Sequence, residues 1–229
     1  MEGFINSIQK NFFGDSRGWL FMLQGVGVTL QITFFALLIG IALGFVIAVI
    51  RSTHDKQKKW KILNSCCNVY LTVIRGTPMM IQLLIIYFVV FSSVNVNKIF
   101  AAVIAFGINS AAYVAEIIRS GIMSVDEGQF EAGRSLGFNY AQTMRYIVAP
   151  QAIKNVLPAL GNEFIVLLKE TSISGYIAIN DLTKVGDSIR SRTWDPMVLF
   201  VVALIYLALV MIVTQLVNYL ERRLRNGEK

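Results

Sequence analysis

Residues 19–50 read WLFMLQGVGVTLQITFFALLIGIALGFVIAVI, thirty-two residues without a charge. The hydrocarbon layer of a bilayer is about 30 Å thick, so a spanning helix needs about 20 mainly apolar residues. This run exceeds one perpendicular crossing, and tilt or a protruding end is expected of it. Composition agrees with a membrane setting: of 229 residues 55% are hydrophobic and 15% charged, with a mean hydropathy of +0.59. Soluble domains are roughly a quarter charged. The chain therefore reads as an integral membrane protein. Gly40 and Gly44 form a small-xxx-small pair within the run. Such a pair lets another helix approach closely, contact with a second copy being one reading.

Four more stretches meet or approach spanning length: Cys66 to Phe91, Ile99 to Ile122, Leu157 to Ile179 and Pro196 to Leu220. The second region is interrupted by Arg75-Gly76-Thr77-Pro78, which predicts a break whose freed backbone groups need protein or water partners. Arg75 fits two readings, snorkelling to the interface or lining a pathway. Cys66 and Cys67 are adjacent, with no CxxC or histidine pairing that would suggest a metal, and read as packing residues. His54, the only histidine, falls in a polar stretch and reads as inert. No period of 20 to 50 residues recurs, so a duplicated transporter is not indicated.

The net charge of +7 is placed beside span ends, which points to membrane topology rather than nucleic acid. RSTHDKQKKWK after the first span carries five basic residues against Asp55 and is expected to be a cytoplasmic loop. On that basis the inside total is thirteen: Arg51, Lys56, Lys58, Lys59, Lys61, Arg119, Arg134, Arg145, Lys154, Arg222, Arg223, Arg225 and Lys229. Outside are six: Lys10, Arg17, Lys98, Lys184, Arg190 and Arg192. The bias predicts an N-terminus outside and a cytoplasmic C-terminus. The segment before Gly18 lacks the features of a cleavable leader, so insertion is expected to rely on the first span.

Between Met123 and Ala149 the chain reads MSVDEGQFEAGRSLGFNYAQTMRYIVA. Apolar residues at Phe130, Leu136, Met144 and Ile147 separated by charged and small ones predict short amphipathic helices, too polar to cross lipid. Ala132, Gly133 and Gly137 remove bulk where another backbone comes close. Pro150 is expected to turn the chain back into the membrane. A surface helix lying on the bilayer satisfies the same composition.

In the next span Asn162 and Lys169 are seven apart, as are Glu163 and Glu170. Seven residues are nearly two helical turns, so the four are expected to form one polar stripe about 10 Å long. Charge at a helix centre costs about 2.5 to 3.5 kcal/mol on insertion scales, so such groups face protein or a wet cavity. A pathway lining and an interhelical polar clamp are both open. Pro158 and Gly161 stand beside the stripe, where they could bend the helix.

Glu131-Ala132-Gly133, Gly137 and Ile147-Val148-Ala149-Pro150 resemble the EAA loop of ABC importer permeases, with Gly133 and Ala149 as departures from its pattern. The resemblance extends to Ile74-Arg75-Gly76-Thr77-Pro78, to Ser110-Ala111-Ala112-Tyr113 with Ala115-Glu116-Ile117-Ile118-Arg119-Ser120-Gly121, and to Asn162-Glu163-Phe164 with Leu168-Lys169-Glu170-Thr171-Ser172. These blocks look like the polar amino-acid branch.

The resemblance implies an all-α permease of the type I importer fold. It would have about five spans over 19–220, a cytoplasmic coupling loop over 123–149, and 1–229 as a single transmembrane domain. The implied partners are a second permease, identical or homologous, two cytoplasmic ATPase subunits and an extracellular substrate-binding protein. Glu131, Ala132, Gly133 and Gly137 would seat on the ATPase, and Asn162, Glu163, Lys169 and Glu170 would line the route of a polar amino acid. The chain has no GxxxxGK[ST] segment, so ATP and Mg are expected on the partners, with no cofactor here. The rival expectation is an ion-coupled secondary transporter using a carboxylate such as Glu163.

Overall fold

The computed structural model describes Gln9–Phe13 and residues 18–226. Arg17 and Lys229 of the orientation count lie outside the described residues, as does much of the segment read for a leader. Among the described residues the secondary structure is entirely helical: α1 Gly18–Gln57, α2 Lys61–Gly76, α3 Met79–Ile85, α4 Lys98–Met123, α5 Glu127–Ser135, α6 Tyr140–Thr143, α7 Ala149–Glu170, α8 Leu182–Thr193 and α9 Met197–Asn226.

Among the described residues, three helical stretches are long and apolar enough to cross a membrane: Gly18–Gln57, Lys98–Met123 and Met197–Leu224. Lys61–Gly76 with Met79–Val90 makes a fourth when the bent pair counts as one span. The bend is the break expected at Gly76-Thr77-Pro78. Proline pushes its predecessor out of the helical region, and Thr77 (φ −120, ψ 144) and Pro78 (φ −63, ψ 136) are both extended. Thr77 Oγ1 donates to the Val73 carbonyl at 2.8 Å, satisfying one acceptor of the interrupted helix. The Leu157 to Ile179 region is α7 followed by a 3-10 segment Thr171–Ile177, so its regular helix lies earlier than its apolar run suggested.

Two expectations are corrected here. The stretch from Arg51 to Gln57 is not a solvated loop; it is the last part of the 40-residue α1, which turns into α2 through left-handed Lys58 (φ 57) and Trp60 (φ 56). Nor does Pro150 turn the chain. It sits in the first turn of α7, preceded by a π-turn Met144–Val148 in which the Ala149 N–H reaches the Met144 carbonyl. A proline ring collides with the carbonyl four residues back, and a wider turn there makes room for it.

The helices form two compact units. The first holds the described residues up to Leu37 with Pro78–Gly107 and Phe164–Val213. Its core is Phe12, Met22, Leu182, Ile189, Val198 and Val202. The segment before Asp195 is largely α8, whose Leu182 and Ile189 share one apolar face and are buried. Asp181 caps α8 by accepting from the Thr183 and Lys184 N–H groups. Leu182 N–H donates to Thr29 Oγ1 at 3.2 Å. Burial pushes the Asp181 carboxyl up from 3.8 to about 6, against those backbone donors.

The second unit holds Leu38–Thr77, Ile108–Glu163 and the described residues from Thr214 on. It answers the Gly40 and Gly44 question within the chain. A Cβ on Gly40 would stand 2.8 Å from Ser110 Oγ; one on Gly44 would stand 2.8 Å from Val114 Cγ1 and 2.9 Å from the Ala111 carbonyl oxygen and the Ala115 nitrogen. The glycine pair is the seat of α4, whose Ala112 and Ala115 pack with Leu71 of α2.

Candidate functional site

Two groups of residues are built into the second unit. The first is the polar segment around α5. Asp126 caps this helix by accepting from Gly128 N–H, and Gly137 (φ 80) closes it. Phe138 N–H returns to the Gly133 carbonyl and Gly137 N–H to that of Arg134, the bonding of a Schellman cap. The four residues expected to seat on a partner therefore divide. Glu131 and Ala132 are exposed. Gly133 is buried, and a Cβ on it would come 2.6 Å from Thr143, so its smallness serves packing of α5 on α6. Gly137 has nothing within 4 Å of its missing Cβ; its left-handed backbone is what requires glycine.

The sequence reading missed what holds α5. Lys56, near the end of α1, donates to Glu127 Oε1 at 2.7 Å and lies 4.6 Å from the Phe130 ring centroid. Gln151 of α7 donates to Gln129 Oε1 at 3.2 Å. The signal was present as a lysine-rich helix end facing an acidic segment, but its pairing depends on α1 staying helical past Ile50.

The second group is a chain of charges beside a cavity. Arg51 meets Glu116 at 2.7 Å, Glu116 meets Arg119 at 2.6 Å, and Arg119 meets Asp55 at 3.3 Å, joining α1 to α4. Partly buried ions need this compensation, because desolvating each costs several kcal/mol. A cavity of about 500 Å³ is lined by Arg75, Tyr113, Glu116, Ser120, Asn155 and Glu163, among others. Arg75 stacks over the Tyr113 ring at 5.6 Å. Glu163 is buried and accepts from Ser110 Oγ at 2.8 Å.

The four residues of the expected stripe lie on one helix and differ in burial and in unit. Asn162 and Lys169 are exposed, Glu163 is buried and Glu170 is half-buried, because neighbours in a helix point about 100° apart. Asn162 and Glu163 belong to the second unit, Lys169 and Glu170 to the first. Glu163 instead shares its cavity with Arg75 and Glu116, so opposite charges line one space.

Residues 40–226 match the family described as the binding-protein-dependent transport system inner membrane component. The chain belongs to that family. It is 36% identical over 211 residues to the arginine transport system permease protein ArtQ of Bacillus subtilis (strain 168), covering 91% of this chain and 94% of that one. It is 34% identical over 208 residues to the glutamine transport system permease protein GlnP of Escherichia coli (strain K12), covering 89% and 93%. A crystal structure of an amino acid ABC transporter with histidines superposes with a TM-score of 0.84 at 42% identity, covering 93% of this chain and 98% of that one. The inner-membrane family and the apolar helices make this a multi-pass membrane protein and a transport subunit. The match favours the permease reading over the ion-coupled alternative.

Proposed function

We propose that this permease moves polar amino acids into the cell, receiving them from an extracellular binding protein and driven by ATP hydrolysis on two cytoplasmic ATPase subunits. The whole chain acts as one permease domain beside a second permease copy or homologue, with its C-terminus cytoplasmic and its N-terminus outside. What supports the cargo class is near full-length similarity to permeases named for arginine and for glutamine. The single geometric observation that carries the reading is the cavity where Glu163 and Glu116 stand with Arg75. An amino acid presents an ammonium and a carboxylate, and a cavity lined by both signs complements it. On this reading Glu163 attracts the ammonium, Arg75 meets the carboxylate, and Asn162, Lys169 and Glu170 serve other positions along the route. Glu131 and Ala132 make the ATPase contact, while Gly133 and Gly137 hold the shape of the helix that carries it. Nucleotide and Mg are bound by the partners.

The test is reconstitution in sealed vesicles with the ATPase subunits and the binding protein, offering arginine, lysine, histidine, glutamine, glutamate and cystine in turn. Uptake of at least one is expected to require ATP and to survive ionophores that collapse ion gradients. Loss of uptake with the gradients would overturn ATP drive. Glu163→Lys is expected to cut uptake at least tenfold, about 1.4 kcal/mol, while the complex still copurifies. Normal uptake by an assembled Glu163→Lys complex would remove Glu163 from the route.

A further inference from the structure

Where the charge-free run of α1 ends, a second cavity opens, of about 630 Å³, walled by α1, the turn into α2, the end of α4 and α6 with its following π-turn. It lies wholly within the second unit. Its wall is apolar, with Val49, Ile122 and Met144, while its rim carries Lys59 and Arg145 and none of its described lining residues is acidic. The depth is that of a bilayer surface, since the last apolar residue of the run is Ile50 and Arg51 follows. Trp60 also lines the cavity. Tryptophan concentrates at that level because one ring carries an apolar face and a polar N–H.

Two features distinguish this cavity from an ordinary basic surface. Ser52 lines it, is 2% exposed, and its Oγ has no hydrogen-bond partner. A helical serine usually bonds back to its own backbone, and a buried hydroxyl left without a partner calls for one. The turn that places Lys59 and Trp60 on the cavity is also strained, because Lys58 and Trp60 hold left-handed conformations that non-glycine residues seldom adopt. Burial keeps the Tyr140 phenol, another lining group, above its ordinary 10.0, so it is a neutral hydroxyl at physiological pH.

We propose that this cavity binds the phosphate headgroup of an anionic membrane phospholipid. Lys59 and Arg145 neutralise the phosphate, the Ser52 hydroxyl donates to a headgroup oxygen, and Val49, Ile122 and Met144 cover the first acyl carbons. Inorganic phosphate or a soluble phosphomonoester shares the headgroup chemistry but would leave that apolar wall in water, which favours the lipid. The site is separate from the cavity holding Glu163 and stands whether or not the substrate assignment does.

The experiment uses the full-length chain, purified with its partner subunits in detergent and stripped of lipid. It is titrated with short-chain phosphatidylglycerol, short-chain phosphatidylcholine or inorganic phosphate while Trp60 fluorescence is followed against a Trp60→Phe background. Saturable binding of phosphatidylglycerol is expected, at least tenfold tighter than phosphatidylcholine. Each basic residue near a membrane surface contributes about fivefold, so Lys59→Gln with Arg145→Gln is expected to weaken binding about thirtyfold. Ser52→Ala should weaken it further, whereas Lys58→Gln, on the same turn but not lining the cavity, should weaken it far less than Lys59→Gln. Equal binding of phosphatidylcholine, an unaffected double variant, or an equal loss with Lys58→Gln would each overturn the site. Competition by inorganic phosphate at equal concentration would reassign it to a soluble ligand.

Discussion

Single residues carry three kinds of constraint here, and each is testable by itself. Gly44 has no room: a side chain would press on the Ala111 carbonyl and the Ala115 nitrogen, backbone atoms that cannot rotate aside. Gly44→Val is expected to lower stability by about 1–3 kcal/mol, read as an earlier thermal unfolding of the detergent-solubilised chain. Gly27→Val, on the same helix with nothing within 4 Å of the added carbon, is the control and should stay within about 1 kcal/mol. Asp181 carries an electrostatic constraint. Its carboxyl lies in the turn before α8, outside the spanning segments, and burial raises it to about 6 from 3.8. The folded state then holds the proton more tightly than the unfolded state, so the stabilisation is complete below pH 3.8 and is lost as pH rises through about 6. Asp181→Asn keeps a capping oxygen and should flatten that pH dependence of thermal unfolding. An unchanged slope between pH 4 and pH 7 would show that the carboxyl is not the titrating group. Gly137 carries a conformational constraint, and its glycine was legible while its reason was not. Sequence spacing suggested close approach by a partner, whereas the backbone shows a left-handed helix cap.

At the scale of elements, α5 is fixed by more than its place in the chain. Lys56 ties it to α1 through an ion pair and an aromatic face, and Gln151 ties it to α7. A force applied to the exposed Glu131-Ala132 surface therefore reaches α1 as well as the neighbouring α7. Removing Lys56 is expected to uncouple hydrolysis from transport. With an exposed ion pair and a cation–π contact together contributing about 1–2 kcal/mol, Lys56→Met should lower the uptake-to-hydrolysis ratio roughly fivefold or more. ATP turnover itself should continue, and Lys56→Arg should restore most of the ratio. If Lys56→Met lowered uptake and hydrolysis in equal proportion, the contact would be structural only. On helix α7 the seven-residue spacing of the polar residues places them in two rows with different surroundings, and only Glu163 of the four is buried.

At the scale of the whole molecule, the asymmetry of lysine and arginine predicts which ends of the helices face the cytoplasm. With Cys66 and Cys67 replaced by alanine, Ser191→Cys on α8 should react with an impermeant maleimide on intact cells. Ser135→Cys on α5 should react only after permeabilisation. The reverse pattern would invert the assignment and with it the side on which ATPase subunits bind. The family match covers residues 40–226, so it includes both the segment around α5 and the cavity of Glu163 and Arg75.

The sequence by itself determined the membrane setting, the helical class, the break at Thr77 and Pro78 and, through its motifs, the permease family. Each of these follows from local chemistry, such as the length of a charge-free run or the missing N–H of a proline. Only the tertiary structure decided that Gly40 and Gly44 seat α4, that Lys56 holds α5, and that Glu163 shares a cavity with Arg75. Those pairings join residues up to 88 positions apart. No local pattern encodes them, because they depend on which faces meet once the helices pack.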